Sequence, residues 1–162
     1  MAVRTTTRDY TGRTVDLEIF QTEADMAEYR QLALTVAQDN THRKVAGMQK
    51  LVQRYLLTFF TPQGSVKYRP DYGSMFMSAV NSGLLQSRSA IVQYFTFADS
   101  QVASQLRGED ASVEGLATPD DEKYAKSYLV DYAIDQAQSV LYLKVKLENL
   151  AGANYVFVLP VT

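Results

Sequence analysis

The sequence predicts an α+β fold: a small antiparallel sheet, a C-terminal meander with a possible N-terminal strand, packed by three to four helices. Two observations lead there. From Tyr124 onward, three runs alternate apolar and polar residues and are separated by short turns, which is the period-2 pattern of strands. Between residues 43 and 107, apolar residues instead recur every three to four positions, the pattern of helices with one buried face. Three adjacent strands joined by short turns make a meander, and its apolar face needs the helices as cover.

In chain order, residues 1–14 are polar, rich in Thr and Arg and without pattern; they are expected to form an arm, or a strand made only in an assembly. Val15–Phe20 alternates apolar and acidic residues, as a half-exposed strand does. Thr22 reads as an N-cap, and Met26, Tyr29, Leu32, Ala33 and Val36 follow at helical spacing until Asn40-Thr41. Residues 1–40 are thus expected to form an arm, strand and helix ahead of a core domain over 41–162.

A stronger helix is predicted from about Arg43 to Phe60. Val45, Met48, Leu51, Val52, Tyr55, Leu56 and Phe59 make its apolar stripe, and Arg43, Lys44, Lys50 and Arg54 load the other side. That cationic face is expected to be solvated or to meet an acidic neighbouring subunit. Breakers follow in quick succession. Pro62 cannot continue a helix, Gly64 suits a positive φ, Arg69 before Pro70 is pushed toward extended backbone, and Asp71 can bond backbone two residues on. Gly73 frees the chain before Ser74, an expected N-cap.

Ser74 to Asn81 reads as a short helix, stopped at Asn81-Ser82-Gly83. A third helix is predicted from Ser87 to Arg107, striped by Ile91, Tyr94, Phe95, Ala98, Val102 and Leu106, with Gly108 just beyond its end. Gly108 to Asp121 reads as an acidic surface loop. The strands are Tyr124–Asp135, Val140–Glu148 and Tyr155–Leu159. Asn149, Gly152 and Asn154 turn the last hairpin, and Pro160 stops the final strand.

Composition narrows the function classes. The chain's 162 residues suit one domain, and 46% apolar with 21% charged residues are values of an ordinary globule. A net charge of −2 gives no global pull toward nucleic acid or an anionic membrane. Cysteine is absent, which excludes disulfides, thiolate metal sites and Cys nucleophiles. No apolar run approaches the ~20 residues of a bilayer span, and Met1 to Arg8 lacks the core of a signal peptide. Eleven Tyr and seven Phe with no Trp fit strand packing first and interface enrichment second.

No catalytic frame emerges. His42, the single histidine, sits at a predicted helix start beside Thr41 and Arg43, suiting a capping or surface role, and no G-x-S-x-G surrounds any Ser. Glycoside hydrolysis needs two facing acids, one of them desolvated. Glu109-Asp110 and Asp120-Asp121-Glu122 are expected to be solvated, and Asp71 to brace its turn beside Arg69. Asp120-Asp121-Glu122 lacks the spacing of a calcium loop, and neither a Walker A segment nor G-x-G-x-x-G occurs. No cofactor or metal is therefore expected.

The segment Thr61-Pro62-x-Gly64-Ser65-Val66-x-Tyr68-Arg69-Pro70-Asp71-Tyr72-Gly73-Ser74 resembles the baseplate wedge and sheath-initiator family of contractile phage tails. The likeness runs well over Val45 to Ser74 and more weakly to the C-terminus. One departure is plain: where the family has E-P-R after its third helix, this chain reads Leu106-Arg107-Gly108-Glu109-Asp110. The resemblance implies a non-enzymatic structural subunit of a virion tail baseplate, made in the host cytoplasm. It further implies sixfold assembly with tail sheath, tube or hub, and other wedge proteins, without nucleic acid or membrane. Thr61, Pro62, Gly64, Arg69, Pro70, Asp71, Tyr72 and Gly73 would form its structural corner. Strand pairing with sheath chains would fall to Leu141, Tyr142, Leu143, Lys144 and Val145, and to Tyr155, Val156, Phe157, Val158 and Leu159. A cell-wall glycan hydrolase and a tail terminator or connector stand as alternatives.

Overall fold

A computed structural model describes residues 16–17, 20–22, 32–34, 44–112 and 118–161. Helix α1 (Met48–Phe60) carries its apolar stripe into the centre of the domain, where Leu51, Tyr55, Leu56 and Phe59 are fully buried. Helices α2 (Phe76–Asn81) and α3 (Arg88–Ser112) pack beside it. The rings of Tyr55, Phe60, Phe76 and Phe95 stand 4.7 to 5.8 Å from that of Phe59, tilted, edge-on or stacked.

These helices cover one face of a three-stranded sheet of order β5-β6-β7, antiparallel throughout: β5 (Tyr124–Asp135), β6 (Val140–Asn149) and β7 (Asn154–Val161). Leu143, Val145 and Leu147 of β6, with Phe157 and Leu159 of β7, are buried in the core. Their intervening neighbours on β6, Lys144, Lys146 and Glu148, turn to the other face. Two register steps bend β5, between Tyr124 and Lys126 and between Leu129 and Asp131. The extra residue Val130 keeps Leu129 and Tyr132 both against the core, although they lie three apart. The α+β class predicted from the sequence is the class observed, with three helices among the described residues.

Several elements differ from the sequence prediction. The N-terminal strand is two pieces: β1 (Asp16–Leu17) pairs with β4 (Lys44–Val45), and β2 (Phe20–Thr22) pairs with β3 (Leu32–Leu34). Thr22 therefore ends a strand, and Leu32–Leu34, predicted on a helix, is extended; helical spacing in a short apolar run does not distinguish the two. Helix α1 starts at Met48 rather than Arg43, because Gly47 at φ 65° breaks the backbone before it. Val45 is buried, but from a strand. Ser74 precedes α2 by two residues, where its Oγ accepts from Phe76 N–H at 3.2 Å. Helix α3 runs through Gly108 to Ser112, and Pro160 sits inside β7. The expected arm over 1–14, the rest of the Met26–Val36 helix and His42 lie outside the described residues.

The helix overrun has an electrostatic cause. Arg54 of α1 pairs with Glu109 at 3.2 Å and Asp110 at 2.9 Å, and Asp110 also accepts the Tyr124 N–H at 3.0 Å. Glu122 is wholly buried, accepting Gly47 N–H and the Lys50 ammonium, both at 3.0 Å. The carboxylate thus sits at the positive end of α1, which has no side-chain cap of its own. Lys50 and Arg54, expected to be solvated or to meet a neighbouring subunit, instead meet Glu109, Asp110 and Glu122, acids themselves expected to be solvated, within this chain, while Arg43 and the Lys44 side chain lie outside what is described. Gly108 costs the helix roughly 1 kcal/mol relative to Ala, and these charge-assisted bonds offset it.

Replacing Glu122 by Ala removes a buried carboxylate from the Lys50 ammonium and from the α1 start, so Glu122→Ala should lower unfolding stability by roughly 3 kcal/mol in urea melts. Glu148→Ala, removing a half-buried strand carboxylate whose partners Lys126 and Lys146 reach solvent, should shift the midpoint far less.

Candidate interaction site

The corner between α1 and α2 is densely hydrogen-bonded. Thr61 ends α1: its Oγ1 donates to Leu57 O at 2.6 Å, and its carbonyl accepts Ser74 N–H at 2.8 Å. Gln63 N–H donates back to Ser74 O at 3.0 Å, forming a one-rung parallel bridge between Pro62 and Ser74. Ser74 Oγ donates to Phe59 O at 2.6 Å. Inside this loop, Ser65 N–H bonds Pro62 O, Arg69 N–H bonds Val66 O and Tyr72 N–H bonds Arg69 O, three successive tight turns.

Gly73 is the position that no other residue can fill. Its φ is 101°, and a Cβ there would lie 2.3 Å from Thr61 O. Gly64 at φ 84° has the same conformational need but open space around it. Helix α3 grips the corner with three residues one turn apart. Gln101 Oε1 accepts Met75 N–H at 3.0 Å, while Gln105 accepts Gly73 N–H at 2.9 Å and donates to Gly73 O at 2.8 Å. Glu109 holds Arg69 at 2.9 Å, and the Arg69 guanidinium lies 4.7 Å over the Tyr72 ring.

Of the predicted corner residues, Thr61, Pro62, Gly64, Arg69, Tyr72 and Gly73 are therefore brought together as one unit. Pro70 and Asp71 are exposed, and the Asp71 carboxylate bonds no backbone amide among the described residues; the Tyr72-to-Arg69 backbone bond closes that turn instead. Gln101, Gln105 and Glu109 were missed. Their i, i+4, i+8 spacing puts them on one helix face, a legible signal that an apolar-stripe reading passes over. At the tip of the corner, Tyr68 is 87% exposed on this rigid support.

The second part of the site is the outer edge of β7. Asn149 N–H donates to Ala153 O at 3.0 Å, so odd-numbered residues of β7 form the hydrogen-bonded pairs with β6. Val156, Val158 and Pro160 then direct their backbone groups outward. Pro160, which has no N–H to give, occupies the position where none is needed. Among the described residues no strand pairs with that edge; β3 lies close to β7 but pairs with β2.

This topology corrects half of the predicted pairing surface. Leu141, Tyr142, Leu143, Lys144 and Val145 lie on β6, the central strand, with ladders on both sides. Their backbone groups are already used, so only the β7 residues Tyr155, Val156, Phe157, Val158 and Leu159 retain an edge. Even there Phe157 and Leu159 give their side chains to the core and Val158 is covered as well, which leaves Val156 and Pro160 exposed. The opposite edge, β5, is bulged twice, and Arg107 of α3 donates to Ala125 O at 2.9 Å.

A polar knot ties sheet to helices. Asp99 of α3 accepts from the Tyr55 hydroxyl at 2.7 Å and from Ser127 Oγ, which in turn bonds the Tyr124 hydroxyl. Burial, reinforced by the Asp99 charge, pushes Tyr55 well above the usual phenol range. Tyr124 is pushed up to about 12, chiefly by burial, with the Ser127 bond opposing. Both phenols are raised relative to the unfolded chain, so the fold binds protons that the unfolded state releases above pH ~10.

Among the described residues, no group of His, Cys, Asp and Glu is arranged to hold a metal ion, and no helix is long and apolar enough to cross a membrane. Comparison of the chain with protein-family models, with characterised proteins and with solved structures gave no match.

Two outcomes follow from this geometry. Gly73→Ala should cost about 3 kcal/mol in urea unfolding, combining backbone strain with the Thr61 contact, whereas Gly64→Ala should cost about 1 kcal/mol for strain alone. Stability should be flat up to pH ~10 and fall between pH ~10 and ~12 as the unfolded tyrosines ionise first. Tyr124→Phe should reduce that fall, read from urea midpoints across the alkaline range.

Proposed function

We propose that this chain is a structural subunit of a contractile-tail baseplate, a wedge component or sheath initiator without enzymatic activity. It surrounds the tube or hub in sixfold repetition and templates the first sheath layer by lending the β7 edge to a sheath strand. The observation that carries this reading is the outward backbone of β7, which has no strand partner among the described residues and is exposed at Val156 and Pro160, though covered at Val158. An unpaired edge is a template for another chain, and added strands gain affinity from main-chain bonds. The Thr61–Ser74 motif supports the same reading, because the corner is built as rigidly as a scaffold element needs.

The mechanism is geometric. Core packing and the α3 clamp fix the sheet relative to the corner, so that Tyr68 and the β7 edge are presented in a constant relation. One neighbour engages the aromatic tip, of the kind enriched at protein interfaces, and another pairs with the edge. The chain's work is done at assembly in the host cytoplasm, and its final place is the baseplate of the virion tail.

Co-expression with the sheath, tube and baseplate proteins of the same tail, followed by electron microscopy, tests the proposal. Val156→Pro removes an outward N–H that bonds nothing in the described fold, so its melting temperature should stay close to the parent's. Baseplates carrying it should form tubes without sheath. Tyr68→Ala should likewise melt normally but reduce incorporation of the subunit. Full-length sheath on Val156→Pro baseplates would refute the templating role.

A further inference from the structure

An apolar groove of about 680 Å³ opens between the α2–α3 connection and the turn end of the β5–β6 hairpin. Ile91, Val140 and Val161 are its buried walls. Gln86, Gln136 and Ser139 line it as exposed polar residues, and no charged residue does. A charged occupant would lose hydration and find no counter-charge there. The groove suits an uncharged group with an apolar body and a tip that can exchange hydrogen bonds with the two amides, and tyrosine has that make-up.

Tyr68 is such a group. It is the most exposed large apolar side chain among the described residues, on a corner already fixed by the Gln105 bonds to Gly73, so little ordering is left to oppose its burial. It cannot fill its own groove. The adjacent Arg69 bonds Glu109 in the last turn of α3, while Ile91 of the groove wall lies in the first turn, roughly 27 Å away along the helix at 1.5 Å per residue. Charges flank both parts. Lys67 and Asp71 bracket the tip. Asp135, between the lining residues Ile134 and Gln136, and Arg88, between Gln86 and Ile91, bracket the groove. None of these four forms an ion pair among the described residues: Lys67 rests over the Tyr68 ring, and Asp135 accepts the amides of Ala137 and Gln138 in its own turn. Tip and groove therefore each keep one cation and one anion for a partner. We propose that Tyr68 of one copy enters the groove of the next, head to tail. Such a contact joins two different patches and leaves one of each free at the ends, so copies add until the rotation closes a ring. One aromatic side chain buries about 150–250 Å², far below the ~1,200 Å² of a lasting interface, so the contact is weak in solution and acts between copies held side by side. It goes beyond the proposed function by naming the neighbour at the tip, and it does not depend on pairing at the β7 edge.

Sedimentation equilibrium of the purified chain at up to about 1 mM tests it. The parent should gain weight-average mass as concentration rises. Tyr68→Ala, which removes the tip, and Gln86→Trp, which fills the groove, should each self-associate about tenfold or more weakly while melting as the parent does. Mixed together, the two variants should associate again, because one supplies a groove and the other a tip, but only as far as pairs. A parent that stays monomeric at about 1 mM, self-association unchanged in either variant, or a mixture no heavier than its components would each overturn the contact.

Discussion

The approach of Gly73 to the Thr61 carbonyl is the contact on which the rest of the structure depends. A helix leaving Phe60 and a helix entering at Phe76 are joined by a loop whose ends must meet within one hydrogen bond of each other. Only a residue with no Cβ and a positive φ lets Ser74 N–H reach Thr61 O at 2.8 Å. Once that rung is made, the Phe59 and Phe76 rings meet at a tilt 4.7 Å apart, entering the core from the two sides of the corner. The clamp from Gln105 then fixes the corner to α3, and through α3 to the sheet. A loop of exposed residues is thereby held as firmly as an element of secondary structure, through a conformation that only a glycine adopts without strain.

The two edges of the sheet are treated differently, and the difference has a physical basis. On β5, two bulges and the Arg107 contact break the regular row of donors and acceptors. On β7 the register with β6 runs without a step over its full length, and the outward row stays regular until Pro160. Regular rows invite pairing, and a protein that hides one edge while leaving the other intact has a direction in which to grow. The charge arrangement points the same way. Lys50 and Arg54 are engaged internally by Glu122, Glu109 and Asp110, so on the proposed reading recognition would fall to backbone groups and an aromatic tip.

Much of this was legible in the residues, for reasons that can be named. The meander was readable because Leu141, Leu143, Val145 and Leu147 alternate with polar residues, and a half-buried sheet leaves that mark. The corner was readable because Pro62 and Pro70 restrict the backbone, and Gly64 and Gly73 free it, irrespective of context. What escaped were matters of distance along the chain. That Glu122 would sit under Gly47, or Asp110 under Arg54, depends on partners more than fifty residues away, and an acidic run without apolar residues looks like a loop until its cations are placed. Strand order escaped as well: a local pattern shows that Leu141–Val145 is a strand, not that it lies between two others. Leu32–Leu34 shows the limit for short runs, where three apolar residues satisfy either period.

The central claim is that the outward amide of Val156 on β7 is free in the isolated subunit and paired in the assembled tail. Residue-resolved hydrogen exchange on both states measures this directly, with the inward amides of Phe157 and Leu159 as internal references. The account predicts that Val156 exchanges far faster than Phe157 and Leu159 in the isolated chain, and becomes as protected as they are on assembly. Slow exchange at Val156 in the isolated chain, unchanged in the particle, would contradict it.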